Sequence, residues 1–224
     1  MKALVVAPHP DDEILGLGGT LLRKKQDGTE LALVIVTEPS MLLGWDLIKL
    51  EKRKSEIQKS KSFFNFSQIF DLQFPSAGLD KVGDSALVAS IADVFHEFRP
   101  DEIYIPHYSD VHGDHRFVFH ASISASKSFR CDFIKRIYAY ETLSETEFNV
   151  MGVAQFRPNF FVDISCQLEE KIEALEIYSS EMNEFPFPRS EKAVRALAEL
   201  RGSTAGFLAA EAFELLRERV PKDD

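Results

Sequence analysis

Cysteine is nearly absent. Cys131 and Cys166 stand far apart, with no CxxC spacing. That excludes a disulfide framework and a cysteine-built metal site, and it reads as reduced thiols in a cytoplasmic protein. Basic charge is also short: 26 Lys and Arg against 36 Asp and Glu give a net charge of −10. Non-specific nucleic-acid binding needs a basic footprint, so no nucleic-acid partner is expected. No run of about 18 apolar residues occurs, so no transmembrane segment is expected. The opening MKALVVA is too short for a signal peptide, and acids follow it almost at once. Repeats, low-complexity tracts and a dividing linker are missing too, so residues 1–224 are read as one domain.

With 45% hydrophobic and 28% charged residues over 224 positions, the chain can bury a sizeable core. ALVV at 3–6 and LALVIVT at 31–37 are continuous apolar runs, as in strands covered on both faces. QIFDL at 68–72, EIYI at 102–105, RIYAY at 136–140 and FFVDI at 160–164 read as further strands. Helices are predicted from Glu13, where Asp11 or Asp12 can cap, then over 47–62, 85–98, about 114–127, about 166–180, 189–201 and 204–218. Alternation of strand and helix over the first 130 residues predicts an α/β, Rossmann-like fold. Its sheet is mostly parallel, with helices on both faces and the active site at the C-terminal strand ends.

Two loops carry most of the chemistry. HPDD at 9–12 follows the first strand, and IPHYSDVHGDH at 105–115 spans the end of the fourth. They hold His9, His107, His112 and His115, four of the six histidines. Three consecutive acids, Asp11, Asp12 and Glu13, repel one another unless a cation sits beside them. Two imidazoles, a carboxylate and an open position make a catalytic zinc pattern, and a carboxylate outside the ligand set can take a proton from the activated water. The spacing leaves open which aspartate does which.

APHPDDE at 7–13 with HGDH at 112–115 resembles the LmbE-like, or PIG-L, zinc-dependent N-deacetylases, whose hallmarks are (A/P)HPDDE and HxDH. LGLGGTL at 15–21, RKSE at 53–56, FRPNFFVDI at 156–164 with Lys171, Ala174 and Leu175, and Arg201, Gly202 and AEAF at 210–213 resemble further parts of that family. AEAF is thereby expected in C-terminal helices. The resemblance implies one zinc per chain on His9, Asp12 and His115, with Asp11 as general base. It also implies His112 as oxyanion stabiliser, Asp114 as the residue orienting a histidine or tuning its charge, and Arg53 reaching the substrate. A cationic His112 beside an aspartate is the expected donor. The implied activity is removal of acetyl from an N-acetylated sugar or sugar conjugate of the N-acetylglucosamine type. Family members often assemble into oligomers, so a homo-oligomer is part of the expectation. Iron or cobalt suits the same ligands.

The same site would serve another amide or an ester. GLGGT at 16–20 is not GxGxxG and falls inside a helix, against a nucleotide-binding protein. GSTAG at 202–206 carries threonine where a serine hydrolase needs serine. A non-catalytic relative would have lost the base or a ligand, and all five residues are present. Arg53 can equally pair with Glu56 at i, i+3. Glu13 reads first as favourable charge in a first helical turn, Arg116, His96 and His120 as structural, and His107 and Asp110 as polar neighbours of the second motif. EFPFP at 184–188 is local packing, a pocket rim or a subunit contact. Specificity is assigned to loops 38–46, 73–84 and 141–158, where Trp45 either stacks on a sugar or packs its loop.

Overall fold

The computed structural model describes residues 1–39, 44–149 and 155–220. Loops 38–46 and 141–158, expected to set specificity, therefore fall partly outside the described residues. Seven strands form one sheet in the order β3-β2-β1-β4-β5-β7-β6. They are β1 (Lys2–Ala7), β2 (Glu30–Glu38), β3 (Gln68–Pro75), β4 (Glu102–Pro106), β5 (Arg136–Tyr140), β6 (Phe160–Asp163) and β7 (Ala210–Glu218). The helices are α1 (Asp12–Gln26), α2 (Leu47–Phe64), α3 (Asp84–Phe98), α4 (Gly113–Ala125), α5 (Leu168–Leu175) and α6 (Glu191–Ala205). β1 to β5 run parallel; β7 lies antiparallel between β5 and β6.

Both faces of the sheet are covered, as the apolar runs require. Ala3, Val5 and Ala7 of β1 face a core with Ile14, Leu17 and Leu21 of α1, Phe64 of α2 and Val194 of α6. Leu4 and Val6 face the opposite core, with Ile91 and Phe95 of α3 and Val118 of α4. Gly16 lets α1 lie against the Tyr140 ring, because a Cβ there would collide with it. Gly28 ends the turn after α1 at φ +71, where a side chain would strain the backbone.

Two expectations are corrected. Residues 210–218, expected in a helix, form β7: Ala, Glu and Leu are helix formers, but pairing with β5 and β6 inside the sheet overrides that preference. The predicted helix 166–180 is α5 followed by a 3₁₀ helix at Glu176–Glu181. The chain leaves β1 toward β2 and β3 on one side, while β4 leads to β5 on the other. The β1–β4 pair is thus the topological switch point, where α/β sheets open a crevice for ligands.

Candidate active site

HPDD leaves β1 and HGDH enters α4 after β4, so both motifs open onto that crevice. Asp11 occupies the position before α1 with φ 124, a backbone conformation that side chains rarely adopt and that costs about 1–3 kcal/mol. Neither aspartate side chain caps the helix as expected. The Asp11 N–H donates instead to Glu13 Oε2 at 3.0 Å, and the Asp12 carboxylate accepts the His9 N–H at 2.8 Å. Glu13 is fully buried and also accepts from the Ser60 and Tyr178 hydroxyls at 2.7 and 3.0 Å. It therefore does more than lend charge to a first turn: it ties the strained Asp11 to α2 and the 3₁₀ helix.

Three donor atoms converge. Asp12 Oδ2 lies 3.5 Å from His9 Nδ1 and 3.4 Å from His115 Nε2. Zinc bonds of about 2.0–2.1 Å at tetrahedral angles separate their donors by roughly 3.3 Å, close to both of these separations, and the ligand atoms of all three residues lie within 4.8 Å of one another, a group that could hold one ion. Each histidine has its other nitrogen engaged by a carboxylate. His9 Nε2 meets Asp114 Oδ2 at 3.2 Å, and His115 Nδ1 meets Asp110 Oδ2 at 2.8 Å. That pattern fixes the tautomer that turns a lone pair to a metal. Ala77 N–H holds Asp114 Oδ2 at 2.7 Å.

His9, His112 and Asp114 form a second cluster of ligand atoms. The His112 ring is set apart from the first cluster by a hydrogen bond of its own. Its Nδ1 accepts the Asp114 N–H at 3.1 Å, which leaves the ring proton on Nε2 as a donor. The expected cationic His112 is corrected by the same bond, since a doubly protonated ring has no acceptor. Burial, with the charges of His9 and His115, holds His112 down at about 4.

The carboxylates work in the other direction on the two clustered histidines. Burial lowers His9, but hydrogen bonds to Asp114 and Asp12 outweigh it and raise it to about 9. Burial lowers His115 too, and Asp12 and Asp110 raise it to about 10. Burial pushes Asp11 up to about 8 against the pull of Arg189. Groups that hold protons this firmly on two imidazoles are a field built for positive charge.

The structure brings His9, Asp11, Asp12, His112, Asp114 and His115 together, and Arg53 joins them at the rim. His9, Asp11, Trp45, Arg53, His112 and Arg189 line a cavity of about 190 Å³. Arg53 both pairs with Glu56, Nε to Oε2 at 3.1 Å, and faces that cavity, with further bonds to the Pro10 carbonyl and Glu181. Trp45 lies over its guanidinium, 5.2 Å from carbon to ring centroid. His107 is buried elsewhere, bonded to Ser109 and facing Glu214. Arg116 is structural, donating to the carbonyls of Asp110 and Val111. Sequence reasoning missed Arg189, Glu145 and Glu181. The proline-flanked loop before Arg189 was read as local packing, a pocket rim or a subunit contact, and no spacing tied Arg189 to a residue 178 positions away.

The profile of the family described as PIG-L, GlcNAc-PI de-N-acetylase, matches residues 4–126. The diacetylchitobiose deacetylase of Thermococcus kodakarensis is 26% identical over 220 residues, 94% of this chain and 81% of its own. The conserved protein TT1542 of Thermus thermophilus superposes with a TM-score of 0.77 at 26% identity, covering 98% of this chain and 96% of its own. The N,N'-diacetylchitobiose deacetylase of Pyrococcus horikoshii shares the fold, with a TM-score of 0.76 at 21% identity, covering 96% and 83%. The matched span carries both motifs and both strands of the switch point, and the chain belongs to the PIG-L family.

Proposed function

We propose that this chain is a zinc-dependent hydrolase that removes the acetyl group from an N-acetylated sugar or sugar conjugate of the N-acetylglucosamine type. The observation that carries the reading is the convergence of His9, Asp12 and His115, whose ligand atoms lie within 4.8 Å of one another, with Asp11 alongside. Family membership and the T. kodakarensis relative, a diacetylchitobiose deacetylase, support the substrate class.

His9, Asp12 and His115 would hold one zinc per chain, and zinc supplies acidity to water and polarises a carbonyl. Asp110 and Asp114 orient the two histidines. Asp11 takes the proton from the attacking water and returns it to the departing amine, so water and amide become amine and acetate. His112 donates its Nε2 proton to the carbonyl oxygen as that oxygen gains negative charge. Arg53 holds the substrate at the rim, beside Trp45. Cys131 and Cys166 are both free, which agrees with a cytoplasmic location.

The test is acetate release across a panel of N-acetylated sugars and sugar conjugates, with O-acetyl esters in parallel and a chelator control. Acetate from the amides, lost with chelator and restored by zinc, is the expected result. Turnover of esters alone, or chelator-insensitive turnover, contradicts the proposal.

A further inference from the structure

Arg189 sits in the loop before α6, one residue ahead of the Ser190 cap. Its side chain is 19% exposed and lines the active-site cavity. Nη1 donates to Asp11 Oδ2 at 2.8 Å, Nε donates to the Ser144 hydroxyl at 2.8 Å, and Nη2 donates to Glu145 Oε1 at 3.4 Å. Nη1 also stands 3.6 Å from Glu181 Oε2. Ser144 and Glu145 follow β5, Glu181 ends the 3₁₀ helix, and Asp11 follows β1. One rigid guanidinium joins all three stretches at the cavity wall.

Asp11 needs such a partner. Its backbone is fixed: the N–H is held by Glu13, and the carbonyl accepts from the N–H groups of Ile14 and Leu15, both at 3.0 Å. Those bonds set the direction of the Cα–Cβ bond but leave the carboxylate free to rotate about it. Asp12 and Asp114 each have two or more groups fixing their carboxylates. Among the described residues, Arg189 is the hydrogen-bond donor to the Asp11 carboxylate. Arginine suits the task because its planar fork can bind several acceptors at once without giving up a proton.

We propose that Arg189 is the positioning residue of the general base: by holding Oδ2 it turns the other oxygen of Asp11 toward the substrate. The proposal rests on the hydrolytic reading above. The water proton then arrives on the oxygen that Arg189 does not hold and leaves from it to the amine nitrogen. Arg189 itself exchanges nothing.

The test compares Arg189→Met and Arg189→Lys with the unaltered chain by crystal structure, zinc content, melting and steady-state kinetics. In Arg189→Met, the Asp11 carboxylate is expected to leave its rotamer while His9, Asp12 and His115 superpose and one zinc is retained. A misplaced base lowers kcat by about ten- to a hundredfold, with KM moved by less than about threefold. Arg189→Lys, which keeps a cation beside Asp11 but lacks the fork that anchors it on Ser144 and Glu145, is expected to recover part of that loss. The structural comparison needs no substrate. A parent enzyme that releases no acetate therefore counts against the proposed activity, while the Asp11 rotamer still decides Arg189. An unmoved Asp11, or a kcat within about threefold of the parent, overturns the proposal. So does loss of zinc or of thermal stability in both variants, since a residue that only braces the loops would give that result.

Discussion

Lys171→Met tests how α1, the helix that follows HPDD, is held. α1 breaks its helical geometry at Leu17, with φ −151 and ψ 25, so it has interior ends that need partners. Lys171 Nζ donates to the Leu15 carbonyl at 3.0 Å, on one side of the break. On the other side, the Glu211 carboxylate accepts the N–H groups of Gly19 and Thr20 at 2.9 and 2.6 Å. Lys171 and Glu211 close the arrangement at 2.6 Å, and each is about 5% exposed at the side chain. Removing Lys171 leaves a buried carboxylate without its counter-charge and the Leu15 carbonyl without its donor. Breaking a buried pair in this way costs about 3–5 kcal/mol. The two amide donors remain on Glu211, which places the loss near the lower end. At about 2–4 °C per kcal/mol for a chain of this size, the melting temperature falls by roughly 6–12 °C. Thermal and urea unfolding of Lys171→Met measure the loss, and Lys171→Met/Glu211→Gln, which removes the stranded charge, should recover part of it. A single variant that loses less than about 1 kcal/mol, the range of an exposed pair, refutes the reasoning.

Four further outcomes follow from the site and its packing. Asp11→Asn should lower kcat by about 10²–10⁴ with zinc retained, because a carboxamide cannot accept the proton; kinetics within error of the parent would remove Asp11 as base. His112→Ala should lower kcat by about 10²–10³ and keep a full zinc equivalent by elemental analysis, whereas metal loss would make His112 a ligand. His115→Ala should lose zinc in the same analysis, and a full equivalent retained would count against that ligand. Gly16→Ala should cost about 1–3 kcal/mol by urea unfolding, because its methyl group meets the Tyr140 ring; a neutral result would mean that α1 shifts freely.

Much of the architecture was legible because it follows from local pattern. The apolar runs at 3–6 and 31–37 became strands buried on both faces. The Lys- and Glu-rich stretch at 47–62, the amphipathic stretch at 85–98 and the helix expected after the second motif match α2, α3 and α4 within two residues at each end. β7 was not legible: AEAFELLRE has helical composition, and only its neighbours in the sheet decide otherwise. Lys171 was legible through resemblance alone, since its partner Glu211 lies 40 residues away. At the site, short-range spacing disclosed the residues that follow β1 and β4. It could not disclose Arg189, Glu145 and Glu181, which reach the cavity from segments with no metal-ligand pattern. The protonation of His112 was misread for a related reason: the group that fixes it is a backbone N–H two residues on, and a sequence does not display hydrogen bonds.

The central claim is that one zinc ion is held by His9, Asp12 and His115, with His112 outside the ligand set. Crystals grown with equimolar zinc and measured across the zinc absorption edge test it directly. The account predicts one anomalous peak per chain, about 2.0–2.2 Å from His9 Nδ1, an Asp12 oxygen and His115 Nε2. A peak ligated by His112 and Asp114, or no peak between His9 and His115, would contradict it.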